Sequence, residues 1–578
     1  MGAWMGLSTA LSGLAAAQAA MDTAAHNIAN ANTEGFSRQR VGLTASPPSL
    51  LPAFNRTGLP GQVGAGVTIS TILRVRDQFL DGQLRGQAPV SSYWDTRRDE
   101  LSKVEAIFPE PAGAGIGSTL SAFWSAWHDV AASPTSTAAR ASLLDRAATV
   151  ATQVNAAAGQ IVTLARNLDG AVVDQVKLIN DYASQIAALN RQIQGVVATG
   201  DAANDLSDQR DLVLDKLTAI LPATLSHEAN GTVTVLVGGT DLVSRGTSRT
   251  IVTVPDLAGH AVPTWVTGGT VALGQGGLAA STELRDTTLP GYLASLNSLA
   301  TGIADAVNAV HTRGYDSTGA AGLPLFTYVA GNAAATMALN TVIAADSRRL
   351  AAAGAAGSPG DGGIAGQIAD LQDAFSYPAG TAGADLVPGI ALATNGSATV
   401  TAIGVSRATA QTWTLTSGAP GQLTITGTNG ATQTIAVADM ISGAQQTLNF
   451  TQLGIQITLG ASTAKAAGDI ITDLTAGAND TLVVASILNP PQTIMDAYAG
   501  LVSGIGSDVS HATDLAANQQ LLVDHLQQRR QSTSGVSLDQ EAADMIRFQH
   551  AYQAAARVIT TIDEMLDTLI NRTGTVGR

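Results

Sequence analysis

The sequence predicts a multidomain α+β fold. It comprises a discontinuous α-helical coiled-coil terminal domain drawn from both chain ends, a mainly helical rod-like domain, and β-rich outer domains. Three observations predict it. Apolar residues recur every seven positions at both ends of the chain. Threonine-rich alternating runs, separated by glycine turns, fill two internal blocks. The 578 residues are also enough for about four domains with sizeable cores.

At the N-terminus, Leu7, Leu14, Met21 and Ile28 are spaced by seven, with Ala10, Ala17, Ala24 and Ala31 three residues later. Large residues at one seam position and alanine at the other let a neighbouring helix press close. The stretch AAHNIANANTEGFSRQRV then stops the helix, because Asn and Gly tolerate the left-handed backbone of a helix end. Phe36, Arg38 and Arg40 next share one side of an extended run.

The C-terminus mirrors this pattern. Leu538, Met545, Tyr552, Ile559 and Leu566 form one sevenfold series, and Phe548, Ala555, Ile562 and Leu569 a second. Ala551, Val558 and Met565 add a third column. A stripe that wide exceeds a two-stranded seam and predicts burial by more than one partner helix. Ser537 to Gln540 reads as a Ser-x-x-Gln capping box, with Asp539, Glu541 and Asp544 making an acidic start.

Between the ends, residues 77–220 read as largely helical, with breaks near Pro109 to Gly117 and at Ser133-Pro134. TVTVLVGG and TSRTIVTV mark short strands in 222–280. Helical patterns return at 285–312 and near 340–375, strands at 385–485, and helix from about 490 to 531. The expected domains are therefore 1–40 with 532–578 (terminal coiled coil), and 41–220 with 281–375 and 486–531 (helical rod). To these are added 221–280 (a small β-rich segment) and 376–485 (a β-rich outer domain). With heptads at both ends and strands between, the simplest arrangement brings the ends together and loops the middle outward.

Composition narrows the function. The net charge of −15 and the lack of a basic stripe argue against a nucleic-acid partner. With no cysteine, thiolate metal sites, thiol nucleophiles and disulfides are excluded. No run approaches the apolar length of a membrane span. The first Lys or Arg is Arg38, so the N-terminus lacks the basic lead of a cleaved secretory signal.

Candidate chemistry is sparse. Asn204, Asp208 and Asp211 lie at i, i+4 and i+7 in NDLSDQRD, beside Asp205 and Arg210. One helical face could gather oxygen ligands there, but a divalent ion wants about six of them. A hydrogen-bonded helix start with local ion pairs is the reading taken. The histidines form no metal-protease spacing, and His26 reads as a polar-face or interface residue. Gly113, Gly115 and Gly117 lack the Lys-Ser or Lys-Thr of a phosphate loop and read as a flexible connection. No catalytic residue, cofactor or metal is assigned, and the chain is expected not to be an enzyme.

ALSGLAAAQAAMDTAAHNIANANTEGFSRQRV resembles the N-terminal signature of the axial proteins of the bacterial flagellum, the rod, hook and hook-associated proteins. The matching residues are Asn27, Ile28, Ala29, Asn30, Asn32, Thr33, Gly35 and Phe36. Three internal segments and the C-terminal helix further resemble the hook-associated protein 1 family. The first internal segment is LSAFWSAWHDVAASPTSTAARASLLDRA, with Ser133, Pro134, Ala139 and Arg140. The second contains NDLSDQRD, and the third carries Asn308, His311, Gly314 and Asp316. The likeness spans about 5–375 and 490–570 and leaves out 385–485.

That resemblance implies a structural adaptor between hook and filament, exported unfolded through the flagellar type III channel without a cleaved signal. It implies assembly with copies of itself, the hook protein and the second hook-associated protein. A cytoplasmic export chaperone on the C-terminal helix is a further implied partner. The alternatives are another axial protein, such as a hook or distal rod subunit, or a surface adhesin or enzyme using 385–485, with Trp413 as a glycan contact. The chain ends are expected to be mostly disordered in the free subunit and to become helical on assembly, since an isolated helix of this kind is marginal.

Overall fold

The computed structural model describes residues 2–47, 64–110, 115–373 and 493–568, together with strand backbones inside 389–487. Alanine and leucine carry the first helix, α1 (Gly2–Ala29), which leads into a hairpin of β1 (Gln39–Ala45) and β2 (Val67–Arg74). The helices α2 (Gln78–Ile107), α3 (Ile116–Ala132), α4 (Thr137–Ala198) and α5 (Asn204–Ile220) follow. The 62-residue α4 begins just past Pro134, contains no proline, and ends before Gly200, whose φ of +92° suits glycine.

A four-stranded antiparallel sheet comes next, in the order β3 (Thr224–His227), β4 (Val233–Val237), β5 (Thr240–Ser244), β6 (Thr247–Ser248). The pair β7 (Ile251–Pro255) and β8 (Ala261–Trp265) completes this block. Along β4 the valines at 233, 235 and 237 are buried on one face, as a strand period of two requires. Further on lie α6 (Gly277–Glu283), α7 (Leu289–His311), and the two-residue strands β9 (Phe326–Thr327) and β10 (Ala338–Leu339). Three short helices are α8 (Ala333–Thr336), α9 (Thr341–Ala345) and α10 (Gly363–Ala369).

The Thr-rich runs of the later block form strands. β11 (Gly389–Ala393), β12 (Ser397–Ala402), β13 (Gln411–Ser417), β14 (Gln422–Gly427) and β15 (Thr432–Ala436) make a five-stranded antiparallel meander. β16 (Gln446–Phe450), β17 (Ile455–Leu459) and β18 (Leu482–Ile487) make a three-stranded one. The side chain of Trp413 lies outside the described residues. The chain closes with α11 (Ile494–Ser534) and α12 (Leu538–Asp567). Among the described residues, no helix is long and apolar enough to cross a membrane.

The chain divides into two compact units. One holds Met1–Lys103, Thr163–Leu289 and Ser507–Arg578, the other Val104–Val162 and Pro290–Gly506. In the first, Val176, Ile179 and Ile186 of α4, Leu214 and Leu217 of α5, and Val233, Val235 and Trp265 of the sheets share one core. The expected β segment 221–280 is thus packed on α4 and α5 and does not stand apart. In the second unit, Phe123, Trp124 and Trp127 of α3 are fully buried, with Phe123 centred 4.9 Å from Trp124 and 5.9 Å from Phe326. Arg140, buried at the start of α4, donates to the carbonyls of Pro134 and Leu350, both at 2.6 Å.

Three expectations need correction. Residues 340–375 carry only short helices, because SPGDGG and neighbouring glycines interrupt the apolar period. The expected mainly helical rod domain opens at 41 with the β1–β2 hairpin, and its helices begin at Gln78, as the reading of 77–220 implied. Gly115 caps α3 and Gly117 sits inside it, its N–H donating to Glu110 Oε1 at 3.0 Å, so they open a helix and are no loose connection. Gly113 lies outside the described residues.

His311 sits 6.1 Å from the Trp127 ring, donates from Nδ1 to Leu323 O at 2.5 Å, and accepts from Ala351 N at Nε2, 2.9 Å away. Acceptance at Nε2 needs the neutral ring, whereas donation from Nδ1 is open to either form. Burial lowers its pKa from 6.5 to about 4; the Leu323 carbonyl opposes that shift and Arg140 adds to it. A histidine depressed in the folded state contributes stability fully above its unfolded pKa of 6.5, and loses it as pH falls toward 4. The loss should reach about 3 kcal/mol. Amide exchange checks this: between pH 7 and 4.5, Ala351 should lose protection beyond the intrinsic change, and His311→Gln should abolish that excess.

Candidate functional site

Helices α1 and α12 pack antiparallel, and small residues make the contact. A Cβ built on Gly6 would lie 3.2 Å from Ile562 Cδ1, and one on Gly13 would lie 4.0 Å from Ala555 Cβ. Asn27 Nδ2 donates to Glu541 Oε2 at 3.0 Å. Each step of seven or fourteen residues along α1 is matched by the same step back along α12, which is a heptad register.

The buried column of α1 is Ala10, Ala17, Ala20, Ala24 and Asn27, whereas Leu7, Leu14, Met21 and Ile28 are only half-buried. The large series is therefore flanking and is not the centre of the contact with α12. Backbones separated by alanine and glycine approach until bulky side chains are displaced to the sides. On α12, Ile562 is buried, and Met545, Phe548, Tyr552, Ile559 and Leu566 are half-buried. Leu538, Ile546, Val558 and Met565 are exposed, as are Trp4 and Leu11 on α1. Among the described residues the wide stripe packs mainly on α1. Leu569 lies outside the described residues.

Past α1 the signature residues work through side-chain bonds. Asn27 Nδ2 donates to Gln39 O, and Asn27 Oδ1 accepts from Gln39 N, both at 2.9 Å, so one buried amide holds both polar groups of a backbone residue. Asn30 Nδ2 donates to His26 O at 3.1 Å, and Thr33 Oγ1 donates to Asn30 Oδ1 at 3.2 Å. Gly35 alone in this turn has a positive φ, +82°, where a Cβ would also meet Leu212 at 3.1 Å. The asparagines thus do not take the left-handed conformation expected of them. Asn32 is exposed, and nothing in the structure explains it. Phe36 packs edge-on against His26 with ring centroids 5.3 Å apart.

Glu541, 2% exposed in the first turn of α12, also accepts from Arg38 Nε at 2.6 Å. Arg38 Nη2 reaches Asp544 at 3.4 Å, and its backbone N–H donates to Ser534 O at 2.9 Å. Ser537 stands at the N-cap, but its hydroxyl makes no capping bond, so the expected capping box is absent. Gln540 lies 3.5 Å from Arg38 Nη1, on the side of the chain leaving α1.

NDLSDQRD on α5 is a socket for that same chain. Asn204 Nδ2 donates to Ile72 O at 2.8 Å, and Asp205 Oδ1 accepts from Gln39 Nε2 at 2.6 Å. Asp208 accepts from the backbone N–H and the hydroxyl of Ser37, each at 2.8 Å, and from Arg74 at 2.8 Å. Asp211 meets Arg74 at 2.9 Å, Arg76 at 3.3 Å and Arg85 at 3.4 Å. Burial alone would raise the Asp211 pKa, but Arg76, Arg74 and Arg85 outweigh it and hold it below the usual carboxylate range. Arg210 donates to Asn190 Oδ1 and Gly231 O, joining α4 to the β3–β4 turn. These oxygens face arginines and N–H groups from distant parts of the chain, where the sequence reading expected local ion pairs. Ser37, Arg74, Arg76 and Arg85 were not singled out by sequence, because their partners on α5 are more than a hundred residues away.

Asn27→Ala should destabilise the junction by about 3 kcal/mol, since it strands buried partners on Gln39 and Glu541. Amide exchange at Gln39 should accelerate and protease cleavage in 30–40 should increase, with the α4–β3 core still protected.

Comparison with known proteins agrees with this geometry. Residues 101–326 match the flagellar hook-associated protein FlgK helical domain. Residues 527–572 match the flagellar basal body rod FlgEFG protein C-terminal family, and 7–36 the flagella basal body rod protein family. Flagellar hook-associated protein 1 of Bacillus subtilis is 27% identical over 100% of this chain and 99% of its own length. Its counterpart in Salmonella typhimurium is 29% identical over 98% of this chain and 99% of its own. The solved flagellar hook junction protein FlgK from Burkholderia pseudomallei is 21% identical, covers 78% of this chain and 100% of its own, and gives a TM-score of 0.46. With an internal helical domain and two terminal segments matched in order, and relatives aligned end to end, the chain belongs to the flagellar hook-associated protein 1 family.

Proposed function

We propose that this chain is a structural subunit of the bacterial flagellum that forms the junction between hook and filament, assembling through α1 and α12. One observation carries the reading: the antiparallel pair buries its small face and leaves bulky apolar residues outside. Trp4 is 70% exposed, Leu11 51%, Ile546 56%, Val558 48% and Met565 51%. Surfaces of that kind on a helix pair mark contact sites for further helices. Of the expected assembly set, Leu7, Leu14, Met21 and Ile28 with Leu538, Met545, Phe548, Tyr552, Ile559 and Leu566 supply the flanks of the same surface, and Ile562 is buried against α1.

Residues 1–40 with 532–578 then act as the assembly element. The partners are further copies of this chain, the hook protein and the second hook-associated protein. A cytoplasmic chaperone covers the apolar side of α12 before export, and export proceeds without a cleaved signal. The role is structural, with no catalysis and no cofactor. Within one chain α1 and α12 already form a pair, and contacts with neighbouring copies consolidate it, so the ends are the least stable part of a free subunit.

Val558→Asp should leave both compact units folded and prevent incorporation, because its side chain points away from α1. Met545→Asp and Ile559→Asp should block incorporation as well. Electron microscopy of complemented deletion cells reads the outcome: bare hooks with filament protein in the medium are expected, and filaments growing on Val558→Asp hooks would overturn the assignment. Limited proteolysis of the purified subunit should trim both ends first; uncut ends would remove the case for consolidation on assembly.

A further inference from the structure

The hairpin of β7 and β8 turns one face to the core and the other to solvent. Ile251, Ala261 and Trp265 are buried on the inner face. Pairing sets Val254 opposite Val262 and Val252 opposite Thr264, so these four share the outer face. Val266 joins them just past β8, its N–H donating to Thr250 O at 3.1 Å. The solvent face of an antiparallel pair ordinarily carries polar residues, as Thr44, Thr68 and Ser70 do on the exposed part of β1–β2. Here Val254 is 46% and Val266 60% exposed, and Leu257 at the tip is wholly exposed.

The later half of α11 carries a second bare apolar surface. Val523 and Leu526 form a small core with Leu84 of α2. Away from that core, Leu521 is 68% and Leu522 40% exposed. Asp514 and Arg529 bracket the two leucines along the helix, and both are exposed. All four fall within about a third of the helix circumference, so they make one face.

The charges on the two surfaces match in order and in spacing. On the hairpin, Asp256 stands at the tip and Arg249 at the base, about 23 Å apart along extended chain. On α11, Arg529 and Asp514 stand about 22 Å apart along the helix. Apolar residues fill the middle of each. Asp256 Oδ1 accepts from the N–H groups of Ala258 and His260, both at 2.8 Å, which fixes the tip. Arg249 rests over the Trp265 ring, 6.0 Å from its centre. Among the described residues, no opposite charge pairs with Arg249, Asp514 or Arg529. Both surfaces stay open to solvent in one chain, so matching them takes a second copy.

We propose that the outer face of β7–β8 docks on the Leu521 face of α11 in a neighbouring copy of this chain, with Asp256 beside Arg529 and Arg249 beside Asp514. This contact rests on the assembly of copies proposed above, and adds a second surface to the one on α1 and α12. The two patches differ, so the contact runs head to tail. Each copy keeps one patch of either kind for the next, and repetition closes a ring or continues a helix. Burial of the valines and leucines supplies the attraction, and the paired charges select partner and orientation.

The chain has no cysteine, so introduced pairs report contacts cleanly. Full-length protein carrying Val254→Cys and Leu521→Cys replaces the parent in cells, and isolated hooks with their filaments are treated with a short bis-maleimide. A ladder of dimers and larger multimers is expected, with none from either single variant. In that background Arg249→Asp and Asp514→Arg should each lower the yield about threefold, and the two together should restore it. Hook-bound protein without a ladder, a dimer from one single variant, or charge reversals without effect or mutual rescue would overturn this contact alone. Parent protein missing from isolated hooks would overturn the assembly reading and this contact with it.

Discussion

A buried carboxylate at the start of α12 fixes how the two chain ends meet. Glu541 accepts from Asn27 on α1 and from Arg38 just after it, while Asn27 simultaneously holds both backbone polar groups of Gln39. Neither Asn27 nor Glu541 has an outlet to solvent: Asn27 is 1% exposed and Glu541 2%. Sliding α12 by one residue would leave the Glu541 carboxylate buried without Asn27 and Arg38, while Asn27 would keep only its bonds to Gln39. Such a contact adds modestly to net stability, yet it penalises wrong registers heavily. The acidic residue also sits where the helix dipole favours negative charge. With the register fixed there, Gly13 falls opposite Ala555 and Gly6 opposite Ile562, and the close approach of the backbones follows.

The same logic extends into α5. Spacing of i, i+4 and i+7 places Asn204, Asp208 and Asp211 on one face, a geometry that would also suit a cation. Arginines from β2 and α2 occupy that face instead. Ser37 brings both its N–H and its hydroxyl to Asp208, so the chain leaving α1 is anchored to the helical body two residues before β1 begins. Arg530, near the end of α11, reaches Asp215 on α5 at 2.7 Å and provides the return anchor. Both connections to the terminal pair therefore run through one helix.

Patterns that depend on local period were legible in the sequence. The heptads at both ends, the helical region 77–220 with its break at Ser133-Pro134, and the Thr-rich strands all rest on spacing within a few residues, although the end of α4 before Gly200 was not anticipated. What escaped was set by partners far along the chain. Which helical column faces inward depended on the opposing helix, and small residues won because they permit the shortest separation. Ser537 has the cap pattern, but Arg38 drew Gln540 away from the reciprocal bond. Glu541 read as one of several acids at a helix start, and only the fold reveals that Arg38 and Asn27 converge on it. The glycine-rich stretch 354–363 defeated a period-based helix at 340–375 because breaker residues act locally while the apolar count is averaged.

The division between small and large residues has a consequence for assembly. Alanine and glycine at the centre of the pair remove little apolar area per residue, so pairing within one chain contributes modest hydrophobic stabilisation. A fully covered Val, Leu, Ile or Met contributes about 1.5–3 kcal/mol. Ile546, Val558 and Met565 on α12, with Leu11 on α1, still hold most of that potential in solvent. A chain built this way can fix the geometry of its ends through Asn27, Arg38 and Glu541 before any neighbour arrives. The larger share of apolar area on the pair therefore stays uncovered within one chain. The polar clasp sets the register, and the small residues set the separation; on the proposed function, the exposed bulky residues are what contacts between subunits would bury.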